Sequence, residues 1–183
     1  MQDIEETDIY HISQGNEIAF SHFIDYYSSR LYYHVYGMVR RKEVAEEIVS
    51  DVFVIVWNKR KTLHKIKNMT SWLNTLAYHK SLDYLRAKSH IHREMLLIDN
   101  DDFKFQFPII QSPIDNIISQ EECNELQRAI DMLPSKCRHV LFLAKIEEMS
   151  YADIARMLNI SVSTVNYHIV FALNALNKKL KRA

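Results

Sequence analysis

One stretch of the chain gathers the side chains that hydrogen-bond to base edges and phosphates: MSYADIARMLNISVSTVNYHI, residues 149–169. Ser161, Ser163, Thr164, Asn166, Tyr167 and His168 crowd its second half. Hydroxyl and amide groups in the first turns of a helix are placed to enter the major groove of DNA. The same serines and threonine serve equally as helix caps, and the geometry also occurs as plain packing. A second group of residues is cationic. From Lys59 to Arg93 nine Lys/Arg face one acid, Asp83, while acids collect at Asp3 to Asp8 and Asp99 to Asp102. The formal net charge of zero therefore averages unlike segments. Such separation turns one surface towards a polyanion; a solvated lysine face is the plainer reading of the same charges.

Elements must hold these groups in place. Ser150 followed by Asp153 opens a helix with the pattern of a capping box. Ile154, Ala155 and Leu158 give its inner face, and Asn159 tolerates the left-handed conformation that ends it. Ser161 caps a second helix, whose inner face continues through Val165 and Ile169, and small Ala155 lets the two approach closely. The spacing is that of a helix-turn-helix.

Upstream, Phe20, Phe23, Ile24, Tyr27, Leu31, Val35 and Met38 recur at helical intervals from Asn16 to about Val39. The piece VFVIVW has strand propensity. The four-residue step of Val44, Ile48, Val52 and Val56, with glutamates at 43, 46 and 47, predicts a helix instead. Another helix follows in NMTSWLNTLAYHKSLDYLRAK, with Trp72, Leu73, Leu76, Ala77, Leu82 and Leu85 on its inner face and Thr70 or Ser71 as its cap. The stretch DNDDFKFQFPIIQSP reads as a linker. Beyond it, ISQEECNELQRAIDML and SKCRHVLFLAKIE are helical on either side of Pro134.

The 183 residues include two glycines and three prolines, too few for many glycine-dependent turns, and are 48% hydrophobic and 25% charged. The expected fold is all-α: two small helical domains joined by a flexible linker, the C-terminal one containing the helix-turn-helix. No apolar run approaches the roughly 18 residues of a membrane span. The acidic start MQDIEETDIYHI is unlike a targeting signal, and Cys123 and Cys137 lack paired spacing and read as reduced thiols. A cytoplasmic protein is expected. There is no glycine-rich phosphate loop, Gly-x-Ser-x-Gly elbow or paired-cysteine metal spacing, and His90 and His92 read as ordinary polar residues. No enzyme activity, cofactor, metal or small-molecule substrate is expected.

Three linked stretches, VAEEIVSDVFVIVW, SWLNTLAYHKSLDYLR and LPSKCRHVLFLAKIEEMSYADIARMLNISVSTVNYHI, resemble the extracytoplasmic-function sigma factors, promoter-recognition subunits of bacterial RNA polymerase. The similarity spans roughly residues 16 to 88 and 119 to 180. It implies an N-terminal domain, 12–90, that binds core polymerase and recognises and melts the −10 element; a linker, 91–113; and a C-terminal domain, 114–183, that binds the −35 element. The matching core-binding residues are Glu47, Ser50, Asp51 and Val54, whereas Val52, Phe53, Val56 and Trp57 read better as core than as interface. For the −10 strand, Lys61, Lys65, Lys67, Lys80 and Arg86 would hold the backbone, and Asn74, Tyr78 and His79 would receive an extruded base; Trp72 reads as core. The family also implies an anti-sigma factor, membrane-associated, as a partner beside core polymerase and promoter DNA. The chain departs from the family pattern at Ser50, often glutamine, and at His79, commonly asparagine. Asn166, Val170 and Phe171 stand where lysine and arginine are usual in the recognition helix, leaving phosphate attraction to Lys145, Arg156, Lys178, Lys179, Lys181 and Arg182. The competing reading is a stand-alone helix-turn-helix regulator that binds a palindromic site as a dimer.

Overall fold

The computed structural model describes residues 6–89, 105–108 and 120–180. Every regular element among them is helical: α1 (Glu6–Ser13), α2 (Glu17–Val39), α3 (Lys42–Asn58), a 3-10 turn (Arg60–Lys65), α4 (Met69–Ser89), α5 (Gln120–Asp131), α6 (Ser135–Lys145), α7 (Tyr151–Leu158) and α8 (Val162–Leu180). No helix among the described residues is long and apolar enough to cross a membrane. The chain divides into two compact units, Met1–His90 and Ile91–Ala183. The acids at Asp99 to Asp102, the histidines at 90 and 92, Arg93, Lys181 and Arg182 lie outside the described residues, as does the Cys123 side chain.

In the first unit α2 packs against α3 and α4, and α1 lies on α2 and the 3-10 turn. The Asn16 side chain accepts the Ala19 N–H at 3.0 Å and starts α2. Arg40 ends it in the left-handed region at φ 54°, its N–H donating to the Tyr36 carbonyl. The stretch VFVIVW is helical, within α3. The unit's buried side chains include Phe23, Leu31 and Val35 of α2, Val52, Phe53 and Val56 of α3, Leu73 and Ala77 of α4, Ile12 of α1 and Leu63 of the 3-10 turn, with Phe23 edge-on to Phe53 at 6.3 Å. Each such side chain contributes about 1.5–3 kcal/mol on burial.

Two expectations about α4 are corrected. Its cap is Asn68, whose Oδ1 accepts the Ser71 N–H at 2.8 Å, rather than Thr70 or Ser71. Its buried face carries Ser71, Asn74, Tyr78 and Ser81 beside Leu73, Ala77 and Leu82, while Trp72, Leu76 and Leu85 are half-buried. The helix itself takes two of these donors: Asn74 Nδ2 donates to the Thr70 carbonyl at 3.1 Å and Ser81 Oγ to the Ala77 carbonyl at 2.8 Å. Asn74 also bonds His34, which is wholly buried on α2.

The second unit packs α8 against α5, α6 and α7, around Val140, Phe142, Leu143, Ile154, Val165, Ile169 and Ala172. Phe105–Pro108, expected within the linker, belongs to this core. Phe105 is fully buried, stacked on His139 with ring centroids 4.5 Å apart, and its N–H donates to Ser135 Oγ. Phe107 meets Phe142 edge to face at 5.7 Å. Burial of two aromatic rings outweighs the turn-forming composition around them, so Phe105 and Phe107 pack with the second unit.

Candidate nucleic-acid interface

The helix-turn-helix is built by local chemistry. Ser150 Oγ accepts the Asp153 N–H at 3.1 Å and its hydroxyl donates to Asp153 Oδ2 at 3.0 Å, fixing the start of α7. Asn159 takes φ 53° and ψ 45° and ends it. Ala155, only 6% exposed, leaves α8 room to pack close. Ser161 caps α8, accepting the Thr164 N–H at 3.0 Å, and its hydroxyl lies 2.7 Å from both Ser163 Oγ and Thr164 Oγ1. Capping therefore does not exclude a second role. A hydroxyl has one donor and two acceptor sites, and the cluster sits at the exposed N-terminal end of the helix.

Asn166 and Tyr167 project from the same face and are exposed. His168 does not join them. It is half-buried, its Nδ1 lies 3.3 Å from Cys137 Sγ on α6, and it ties α8 into its own domain. Burial pushes the Cys137 thiol up, away from the thiolate. Arg156 is exposed but bonded to Asp153 at 2.8 Å.

In the first unit Lys61 and Lys65 lie exposed on the 3-10 turn, with Lys67 in the loop just beyond it. Lys80 and Arg86 lie on α4, where Lys80 Nζ meets Asp51 Oδ2 of α3 at 2.7 Å and Arg86 lies 3.6 Å from Asp83. Of the three groups expected to receive a base, only His79 is exposed. Asn74 and Tyr78 are 1% and 3% exposed, and burial pushes the Tyr78 hydroxyl up to about 12. Asn74 bonds His34 of α2, and neither residue presents a platform to solvent.

Glu47, Ser50, Asp51 and Val54 form one exposed stripe at helical spacing on α3. Val52, Phe53 and Val56 are buried behind it. Trp57 is half-buried and lies with Phe20, Ile24, Phe53 and Val54 along an open groove of about 590 Å³ between α2 and α3. The Arg60 guanidinium covers its ring at 4.6 Å. Charge and periodicity alone reveal neither this groove nor the Lys80–Asp51 pair. The pair joins residues 29 positions apart, and the only signal in the sequence was the opposite charge of two exposed helical positions.

Comparison with known proteins places this geometry. Residues 23–91 match the family model described as Sigma-70 region 2, and residues 123–176 match Sigma-70, region 4. The chain is 27% identical over 174 residues to the ECF RNA polymerase sigma factor SigW of Bacillus subtilis, covering 93% of each chain. It is 26% identical to SigX of the same organism, over 90% of this chain and 85% of that one. Among solved structures, CnrH in complex with the cytosolic domain of CnrY matches with TM-score 0.60 and 18% identity, over 98% of this chain and 99% of that one. The sigma factor RpoE of Bartonella quintana, in complex with the anti-sigma factor NepR, matches with TM-score 0.60 and 20% identity, over 88% and 96%. These two likenesses are of fold.

Proposed function

The chain belongs to the sigma-70 family, as an extracytoplasmic-function RNA polymerase sigma factor, and from that premise we propose how its residues divide the work of initiation. The exposed α3 stripe Glu47, Ser50, Asp51 and Val54, with the apolar groove beside it, docks on core polymerase. Lys61, Lys65 and Lys67 hold the phosphates of the opened −10 strand, with Lys80 and Arg86 adding charge along α4 and His79 meeting a base. Ser161, Ser163, Thr164, Asn166 and Tyr167 approach the −35 element. His168 positions α8 through Cys137. The protein acts in the cytoplasm on core polymerase and promoter DNA, catalyses no reaction of its own, and is held inactive by an anti-sigma factor.

The observation that carries this reading is the Lys80–Asp51 ion pair at 2.7 Å. It joins α3 to α4, two helices that also pack against each other, and so supports a reading in which docking one orients the other. Both partners are part-exposed, and a surface pair of this kind is worth at most about 1 kcal/mol; the packing of α3 on α4 sets their alignment, and the pair marks where their exposed sides meet. The match of residues 23–91 to Sigma-70 region 2 favours this reading over a stand-alone regulator.

The test is reconstitution. The full chain with core polymerase is expected to form a one-to-one complex and start transcripts from a promoter of two elements. Replacing Lys65 and Lys67 by alanine is expected to leave that complex intact while lowering permanganate reactivity of −10 thymines. Symmetric operator binding without any core association, or unchanged reactivity in the double variant, would overturn the reading.

A further inference from the structure

The exposed face of α8 has an unusual make-up for a surface that must approach DNA. Between Val162 and Asn177 there is no Asp, Glu, Lys or Arg. The face that continues from the hydroxyl cluster carries instead Tyr167, Val170 and Phe171, which are 62%, 47% and 41% exposed. The Tyr167 and Phe171 rings lie 6.2 Å apart, so the strip is continuous over about one turn. Their neighbour Asn166 is exposed on the same face. Contiguous apolar surface left in water marks a contact site, and this strip runs directly on from the end of the helix that the helix-turn-helix presents outward.

The chemistry of the major groove then selects what it contacts. Guanine is read most strongly by a bidentate arginine or lysine on O6 and N7, and this face has neither. Adenine offers N6 and N7 in the geometry that one asparagine amide satisfies. The apolar feature of the groove is the thymine C5-methyl group. Resting on the assignment of α8 to the −35 element, we propose that Asn166, Tyr167, Val170 and Phe171 read a run of A·T pairs there, Asn166 pairing with an adenine and the apolar strip covering thymine methyls.

The experiment uses holoenzyme assembled from core polymerase and the full chain. Promoter fragments are first selected from a pool randomised over the −35 region. Each −35 thymine of the winning fragment is then replaced by deoxyuridine, which keeps every hydrogen-bonding group and removes only the methyl. An A·T-rich selected element is expected. Loss of each contacted methyl is expected to weaken binding about four-fold, the factor for uncovering one methyl-sized group. Phe171→Ser and Val170→Ser, at exposed positions that leave the fold intact, are expected to erase the difference between thymine and uracil.

A G·C-rich selected element would overturn the inference. So would indifference to uracil while Asn166→Ala still weakens −35 binding, an outcome that leaves the −35 assignment standing. A selection with no −35 preference at all would overturn both.

Discussion

His34 and Asn74 show how a polar pair can specify a core and tie its stability to pH. Burial holds the His34 imidazole down at about 4, against 6.5 for a free side chain, and its bond to Asn74 offsets only part of that cost. The unfolded chain takes up this proton below about pH 6.5, whereas the folded unit refuses it until about pH 4. Its contribution is therefore complete above pH 6.5 and is lost as pH falls through that window, at about 1.4 kcal/mol per pH unit. Urea melts at pH 7 and pH 5 are expected to differ by about 2 kcal/mol from this group, and His34→Gln is expected to remove that slope whatever it does to stability at pH 7. Both tryptophans, Trp57 and Trp72, lie in the first unit, so their fluorescence reports it alone. The same pair explains why the sequence alone does not tell Asn74 from a base-contacting residue: a buried asparagine is written like an exposed one until its partner 40 positions earlier is known. Exposed Asn166 is the contrasting case. Asn166→Ala is expected to cost about 1–3 kcal/mol in discrimination at one −35 base pair, measured by competition between matched and mismatched duplexes.

Helices with strong periodicity and chemical punctuation were legible: α2 from Asn16, α3 through its four-residue valine step, and α7 and α8 through Ser150, Asn159 and Ser161. What escaped was structure held only by tertiary contact. The 3-10 turn Arg60–Lys65 is six residues long and gains its place by burying Leu63, and α1 is eight residues anchored by Ile12; segments this short have too little intrinsic helicity to announce themselves. Phe105–Pro108 is the extreme, a non-helical segment held by ring stacking against α6. Phe105→Ala is expected to cost the second unit about 3–5 kcal/mol, the range for deleting a fully buried ring. In urea this separates a first, tryptophan-silent loss of helical circular dichroism from the later change in tryptophan fluorescence. A single transition unchanged from the parent chain would remove Phe105 from that core.

Across the whole molecule, affinity and discrimination are assigned to different units. The cations exposed at Lys61, Lys65 and Lys67 belong to the first unit, while α8 carries its lysines only in the last turn, at Lys178 and Lys179. Since each neutralised phosphate adds about 0.7 to 0.9 to the log–log salt slope, under the proposed assignment Lys61, Lys65 and Lys67 of the first unit carry a measurable share of the slope and the exposed face of α8 carries the sequence preference. Neither alone makes a tight ligand; carried on one chain and docked on one polymerase, each raises the effective concentration of the other at its element. Alanine at Lys61, Lys65 and Lys67 together is therefore expected to reduce the slope of holoenzyme–promoter binding by about 2 to 3, with the −35 preference unchanged. Asn166→Ala is expected to do the reverse, relaxing the preference at an unaltered slope. The two variants measured over one salt series separate the roles: a slope lowered equally by both would mean that charge and base reading are not divided between the units.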